Sequence, residues 1–172
     1  MSARRPRPSD LGPPLVQYPL WVKRGDVHYV EEGDVTRVWT PEEAGHALAG
    51  LARRGISRGV LQAHIGGDLL KFYGIAGLAG SAGRESSPRW FRHFYHRDQA
   101  IQGYPFDPEA LRELAGRAAA ALELEVFGGD AIVGPGGAVL LIDLNAWPSF
   151  ALFREEAAAE IAAYLDERFT RD

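Results

Sequence analysis

The chain has no cysteine. That excludes disulfides and thiolate metal centres, and it fits a cytoplasmic protein. No apolar run approaches the roughly 20 residues that a membrane-spanning helix needs, so no membrane is expected as a partner. Basic residues are not in excess. Lys and Arg number 19 against 23 Asp and Glu, leaving a net charge of -4. Without a strong basic face, nucleic acid is not an expected partner either. The amino terminus lacks the apolar stretch of a secretory signal. Residues 1–14 carry Arg4, Arg5 and Arg7 among prolines and read as a disordered tail. His28, His46, His64, His93 and His96 show no zinc spacing. His93 and His96, three apart on an expected strand, fall on opposite faces. No serine–histidine–acid arrangement is visible.

Glycine and proline are plentiful, 20 and 11 of 172 residues, so many tight turns are expected. Apolar runs at 20–23 and 27–30 flank Gly25-Asp26 and read as two strands around a turn. Residues 34–39 read as a third strand. Thr40-Pro41-Glu42-Glu43 then opens a helix, with Thr40 as cap and Glu43 completing a capping box. Ala44, Ala47, Leu48 and Leu51 form its inward stripe, and Gly55 ends it. Residues 59–65 read as a strand apolar on both faces, and 68–75 as the next. A glycine- and serine-rich loop is expected at 77–88, and an aromatic, basic strand at 89–96. Asp107-Pro108-Glu109 starts a second helix running to about residue 121. Strands at 122–133 and 138–145 flank Gly134-Pro135-Gly136-Gly137. A last helix spans about 153–169, with Ala157, Ile161, Tyr164, Leu165 and Phe169 as its stripe. Neighbouring strands with helices between the runs predict an α+β fold of mainly antiparallel sheets.

The hairpin near the carboxyl end carries the chemistry. Asp143 and Asn145 share one strand face, because side chains alternate. If the turn pairs Val133 with Ala138, Asp130 faces Leu141 and lies diagonal to Asp143 on that same face. Two acids on an otherwise apolar hairpin resist burial unless a cation or hydrogen bonds compensate them. Magnesium takes oxygen ligands, usually one or two carboxylates with phosphates and water. Asp130, Asp143 and Asn145 meet that need. Acids facing water at a sheet end are the plainer reading of any one of them.

These residues resemble the ATP-grasp superfamily. Phe127-Gly128-Gly129-Asp130 looks like its aspartate-bearing strand. Leu141-Ile142-Asp143-Leu144-Asn145-Ala146-Trp147-Pro148 looks like its metal-binding strand and following turn. The resemblance implies an α+β fold of two small lobes with a nucleotide cleft between them. They would lie at about 15–62 and 63–172. It implies Asp130, Asp143 and Asn145 as ligands of Mg2+ or Mn2+, with ATP as the nucleotide. Pro19-Leu20-Trp21-Val22-Lys23 resembles the strand whose lysine meets the phosphates. The run from Val60 to Asp68 resembles the segment that reads adenine. By that likeness Gln62, the Ala63 carbonyl and the Ile65 amide face the base, and Asp68 the ribose. Lys71 matches a basic position near the phosphates or the second substrate.

The chain departs from the family pattern in three ways. Ala63 stands where an acid is common. The glycine-rich loop is shortened to Arg24-Gly25-Asp26. No room is left before Lys23 for the usual front domain, which a homodimer mate or a separate chain would then supply. The family's common reaction is ATP-dependent joining of a carboxylate to an amine through an acyl phosphate. Lys23, Lys71 and the cation would serve the phosphoryl group. Arg89 and Arg92 would clamp the acceptor. Two alternatives stay open. One is a kinase similar to inositol polyphosphate kinases of the same fold. The other is a nucleotide-binding partner subunit with little activity alone.

Overall fold

The computed structural model describes residues 17–77, 87–97 and 99–170. The expected tail at 1–14 and most of the loop at 77–88 lie outside them. The chain divides into two compact units at Ile65/Gly66.

The first unit is a three-stranded antiparallel sheet with one helix. Strands β1 (Leu20–Arg24), β2 (Val35–Val38) and β3 (Gly59–Ala63) stand in the order β2-β1-β3. Helix α1 (Pro41–Arg53) starts as expected. Thr40 Oγ1 accepts from the Glu43 amide, and the Glu43 carboxylate accepts from the Trp39 amide. Such a cap contributes about 1 kcal/mol. Leu20 and Val22 alternate toward Ala44 and Leu51 of α1, and Val38 and Ile56 complete that core.

The strand expected at 27–30 does not form. β1 pairs directly with β2 instead, from Leu20↔Val38 to Lys23↔Val35. The reason is a buried acid. Asp34 is fully buried and accepts from the amides of Val30 and Glu31 at 2.8 and 3.1 Å. Arg24 and Arg54 meet the same carboxylate. The segment between the strands wraps around Asp34, so its backbone donors are spent locally.

The second unit is a four-stranded antiparallel sheet. Strands β4 (Asp68–Ile75), β5 (Trp90–Tyr95), β6 (Val126–Val133) and β7 (Val139–Ala146) stand in the order β5-β4-β6-β7. Helix α2 (Pro108–Ala121) is capped by Asp107, which accepts from the Glu109 amide. Helix α3 (Arg154–Thr170) buries Ala157 and Tyr164 and packs Ile161. Its stripe is shorter than expected, for Phe169 is 73% exposed. All strand pairings in both sheets are antiparallel, and the architecture is α+β.

Candidate functional site

The second sheet has unlike faces because its strands alternate. Leu70, Phe72, Phe127, Ala131 and Val133 point one way, and α2 closes that side with Leu111, Ala115 and Ala119. On the other side, Tyr73, Ile75, Trp90 and Val126 pack with Phe150, Ala157 and Tyr164. Next to them on that face, the row Lys71, Asp130, Asp143 crosses three strands. Asn145 stands opposite Gly128, two residues along.

The hairpin register corrects the expected one. Val133 pairs with Val139, not Ala138. Ala131 pairs with Leu141 while Asp130 pairs with Asp143, so Ile142 is an extra residue in β7. Asp130 and Asp143 are therefore directly opposite, not diagonal. The bulge has a packing reason. Without it Leu141 and Asp143, two apart, would share a face. With it Leu141 joins the core under α2 while Asp143 is exposed. Glycine permits the close approach here. A Cβ on Gly129 would overlap the Asp143 carbonyl. One on Gly128 would meet Pro148 Cγ at 2.7 Å and Tyr73 Cδ1 at 2.8 Å.

Two carboxylates face to face repel. Lys71 Nζ answers one charge, 3.0 Å from Asp130 Oδ1. Asn145 Nδ2 donates to Asp143 Oδ2, which leaves the Asn145 carbonyl oxygen over. The set offers oxygen donors only, which fits a hard divalent cation such as Mg2+ and not a soft one. Among the described residues no group of three or more His, Cys, Asp or Glu could hold a metal. A cation here would take further oxygens from water and ligand.

Beside Lys71 a cavity of about 450 Å³ opens, lined by Tyr73, Phe94, His96, Arg97, Ser149 and Leu152. Sequence reasoning singled out the basic run at 89–97 but chose its other arginines. Arg92 is held by Glu156 of α3 at 2.7 Å and lies over the Trp90 ring. Arg89 pairs with Glu160 and Glu167. Their charges are answered within the fold. Arg97 has no ion pair among the described residues. The sequence signal for it is its place past the strand end, where alternation no longer fixes its face.

The remaining expected residues are spread over both units. Lys23 is half-buried on β1, on the sheet face away from α1. Gln62 stands opposite Trp21 on that same face. The backbone of β3 has a definite direction. His64 N–H bonds to Pro19 O, and Gly25 N–H to Arg58 O. Even-numbered residues therefore bond β1, and those between them turn their peptide groups to the free edge. Ala63 is one of these. Ile65 lies just past the strand. Asp68, expected near a ribose, is fully buried. It accepts from the amides of Gln102, Gly103 and Tyr104 at 2.7, 2.8 and 3.2 Å. Burial pushes its carboxyl up, but these three bonds outweigh it and hold it below the ordinary value. That anchoring accounts for an acid at 68 without a ligand.

No family model matches the chain, and no curated protein sequence matches it. Solved structures do. VanG D-Ala:D-Ser ligase from Enterococcus faecalis superposes with a TM-score of 0.54 at 18% identity, over 79% of this chain and 42% of that one. A RimK domain protein ATP-grasp from Sphaerobacter thermophilus gives 0.50 at 19% identity, over 83% and 49%. The chain spans less than half the length of either. At these identities the likeness shows the fold.

Proposed function

We propose that this chain, whose fold is that of the ATP-grasp proteins, binds ATP with a divalent cation and activates a carboxylate for ligation to an amine. The row Lys71, Asp130, Asp143, Asn145 on one sheet face carries the reading. Asp130, Asp143 and the Asn145 carbonyl would hold Mg2+. When bound, that cation draws charge off the phosphate oxygens. Lys71 would turn from Asp130 to the phosphates as a mobile point charge. Lys23 would be a second such charge. The free edge at Ala63, with Gln62 beside it, would read the base. These residues position and neutralise, and no covalent nucleophile of the protein is needed.

The acceptor carboxylate oxygen attacks the terminal phosphorus and ADP leaves, giving an acyl phosphate. An amine nitrogen then bonds to the carbonyl carbon, phosphate departs with the electron pair of the broken C–O bond, and the nitrogen gives up a proton to water. The cavity beside Lys71 would seat the acceptor, its charge met by Arg97 and its body by Phe94 and Leu152. Its basic wall equally supports a phosphorylated acceptor, which is the kinase reading. We also propose that a separate chain or a second copy contributes to the acceptor site; the chain itself spans less than half the length of its structural neighbours.

Calorimetry with Mg-ATP tests the nucleotide site. Asp143→Ala and Asn145→Ala should each weaken magnesium-dependent binding about tenfold or more, with little change in thermal unfolding. Unchanged affinity in both variants removes the metal assignment. Phosphate release with pooled amino acids supports the ligase. Phosphate transfer to inositol phosphates replaces it with the kinase. ATP binding without turnover on either set favours a partner subunit.

A further inference from the structure

On the face of the first sheet away from α1, the side chains of Trp21, Arg37, Trp39 and His64 lock together. Trp21 stands opposite Arg37 on β2 and Gln62 on β3. His64, two residues after Gln62, meets the same indole. Trp21 Nε1–H donates to His64 Nδ1 at 3.2 Å, and the two rings lie edge to face at 6.0 Å. The Arg37 guanidinium lies 5.8 Å from the Trp21 ring and 4.9 Å from that of Trp39. The His64 amide is also bonded, to Pro19 O at 3.0 Å. His64 is thus tied by ring and by backbone, and its neighbour Ala63 turns its peptide groups to the free edge.

An indole N–H can only donate. His64 Nδ1 must therefore be bare, and the neutral ring carries its proton on Nε2. A charged imidazole would set a second hydrogen against the indole hydrogen and lose the bond. Two causes keep the ring neutral. Burial disfavours its cation, and the Arg37 charge on β2 adds to that, so both hold His64 below the usual histidine value. From β1 the ring meets Trp21, which does not titrate in this range.

We propose that His64, latched in its neutral form to Trp21, is a positioning residue that sets Gln62 and the Ala63 edge for the base. The inference rests on the nucleotide-binding reading above. It goes beyond that reading in making base affinity depend on one imidazole that does not touch the phosphates. Acidification releases the latch. A mere packing role for His64 would be filled by His64→Phe at least as well as by His64→Asn.

Affinity for a non-hydrolysable ATP analogue with Mg2+ is measured at pH 7.5 and at the acid pH where the Trp21 indole proton resonance reports His64 as charged. The wild type is compared with His64→Asn, His64→Phe and Trp21→Phe at each pH. Comparison at equal pH cancels the titration of the ligand and of the carboxylates. Asparagine keeps an acceptor that does not titrate. His64→Asn should match the wild type at the higher pH and bind about tenfold tighter than it at the lower, the worth of one lost bond. His64→Phe and Trp21→Phe should both be weakened at the higher pH and should not weaken further, relative to His64→Asn, at the lower. Without nucleotide, the Trp21 indole proton resonance should move with His64 titration. A constant ratio of wild type to His64→Asn, with both binding, overturns the inference alone. No binding by the wild type at either pH removes the nucleotide reading, and the inference with it.

Discussion

Two pairs of aspartates divide this molecule. Asp34 and Asp68 are fully buried, and each carboxylate is met by three or more donors. Asp130 and Asp143 stand opposite each other on a sheet face, with one lysine and one amide between them. The first pair is saturated and organises loops. The second has fewer protein donors and lies nearer water. Buried acids persist only when their hydrogen bonds are complete. Opposed like charges repel unless a cation lies between them, which is why the proposed Mg2+ is put at the second pair.

Breaking a saturated acid should have the largest effect. Asp68→Ala strands the amides of Gln102, Gly103 and Tyr104 in the interior. The unfolding midpoint should drop by on the order of 10 °C, read by circular dichroism. A drop near zero would mean that residues 102–104 find water as easily as they find Asp68.

Acid should separate the pairs next. Burial pushes the Asp34 carboxyl up, but Arg54, the amides of Val30 and Glu31, and Arg24 outweigh it and hold it well below the carboxylate range. The unfolded chain therefore takes up this proton first as pH falls. The stability that Asp34 contributes is full above its unfolded value of about 3.9 and is lost as pH falls further. Wild-type protein should lose unfolding midpoint steeply below about pH 4. Asp34→Asn should start lower at neutral pH and fall less. Parallel curves would show that Asp34 is not the titrating anchor.

The open pair should behave in the opposite way. Asp143→Ala removes one of two opposed charges, so stability should stay within about 0.5 kcal/mol of wild type or rise slightly. Urea unfolding reads this. A loss near that of Asp68→Ala would make Asp143 structural. Smallest of all is Phe169→Ser at the exposed end of α3. It should leave the unfolding midpoint unchanged within about 1 °C, and a clear fall would restore the longer stripe expected from the sequence.

Much of this was legible in the chain. The start of α1 followed from Thr40-Pro41-Glu42-Glu43, because a cap is local chemistry. The face shared by Asp143 and Asn145 followed from a period of two. What the sequence left hidden was long-range. Residues 27–30 look like a strand, but Asp34 takes the amides of Val30 and Glu31, aided by arginines ten and twenty positions away. Asp68 looks like a ligand, yet its donors lie 34 to 36 residues on. Arg92 looks like a substrate clamp until Glu156 of α3 is placed beside it.

Apart from the strand expected at 27–30, sequence alone determined the order of elements, the starts of α1 and α2 and the residue types on the hairpin, because caps and alternation act over a few neighbouring residues. Only tertiary structure decided that Asp130 and Asp143 oppose each other directly. That depends on a bulge at Ile142, which exists because Leu141 belongs under α2 while Asp143 does not. A register is a compromise between the two faces of a sheet, and one of those faces is written elsewhere in the chain.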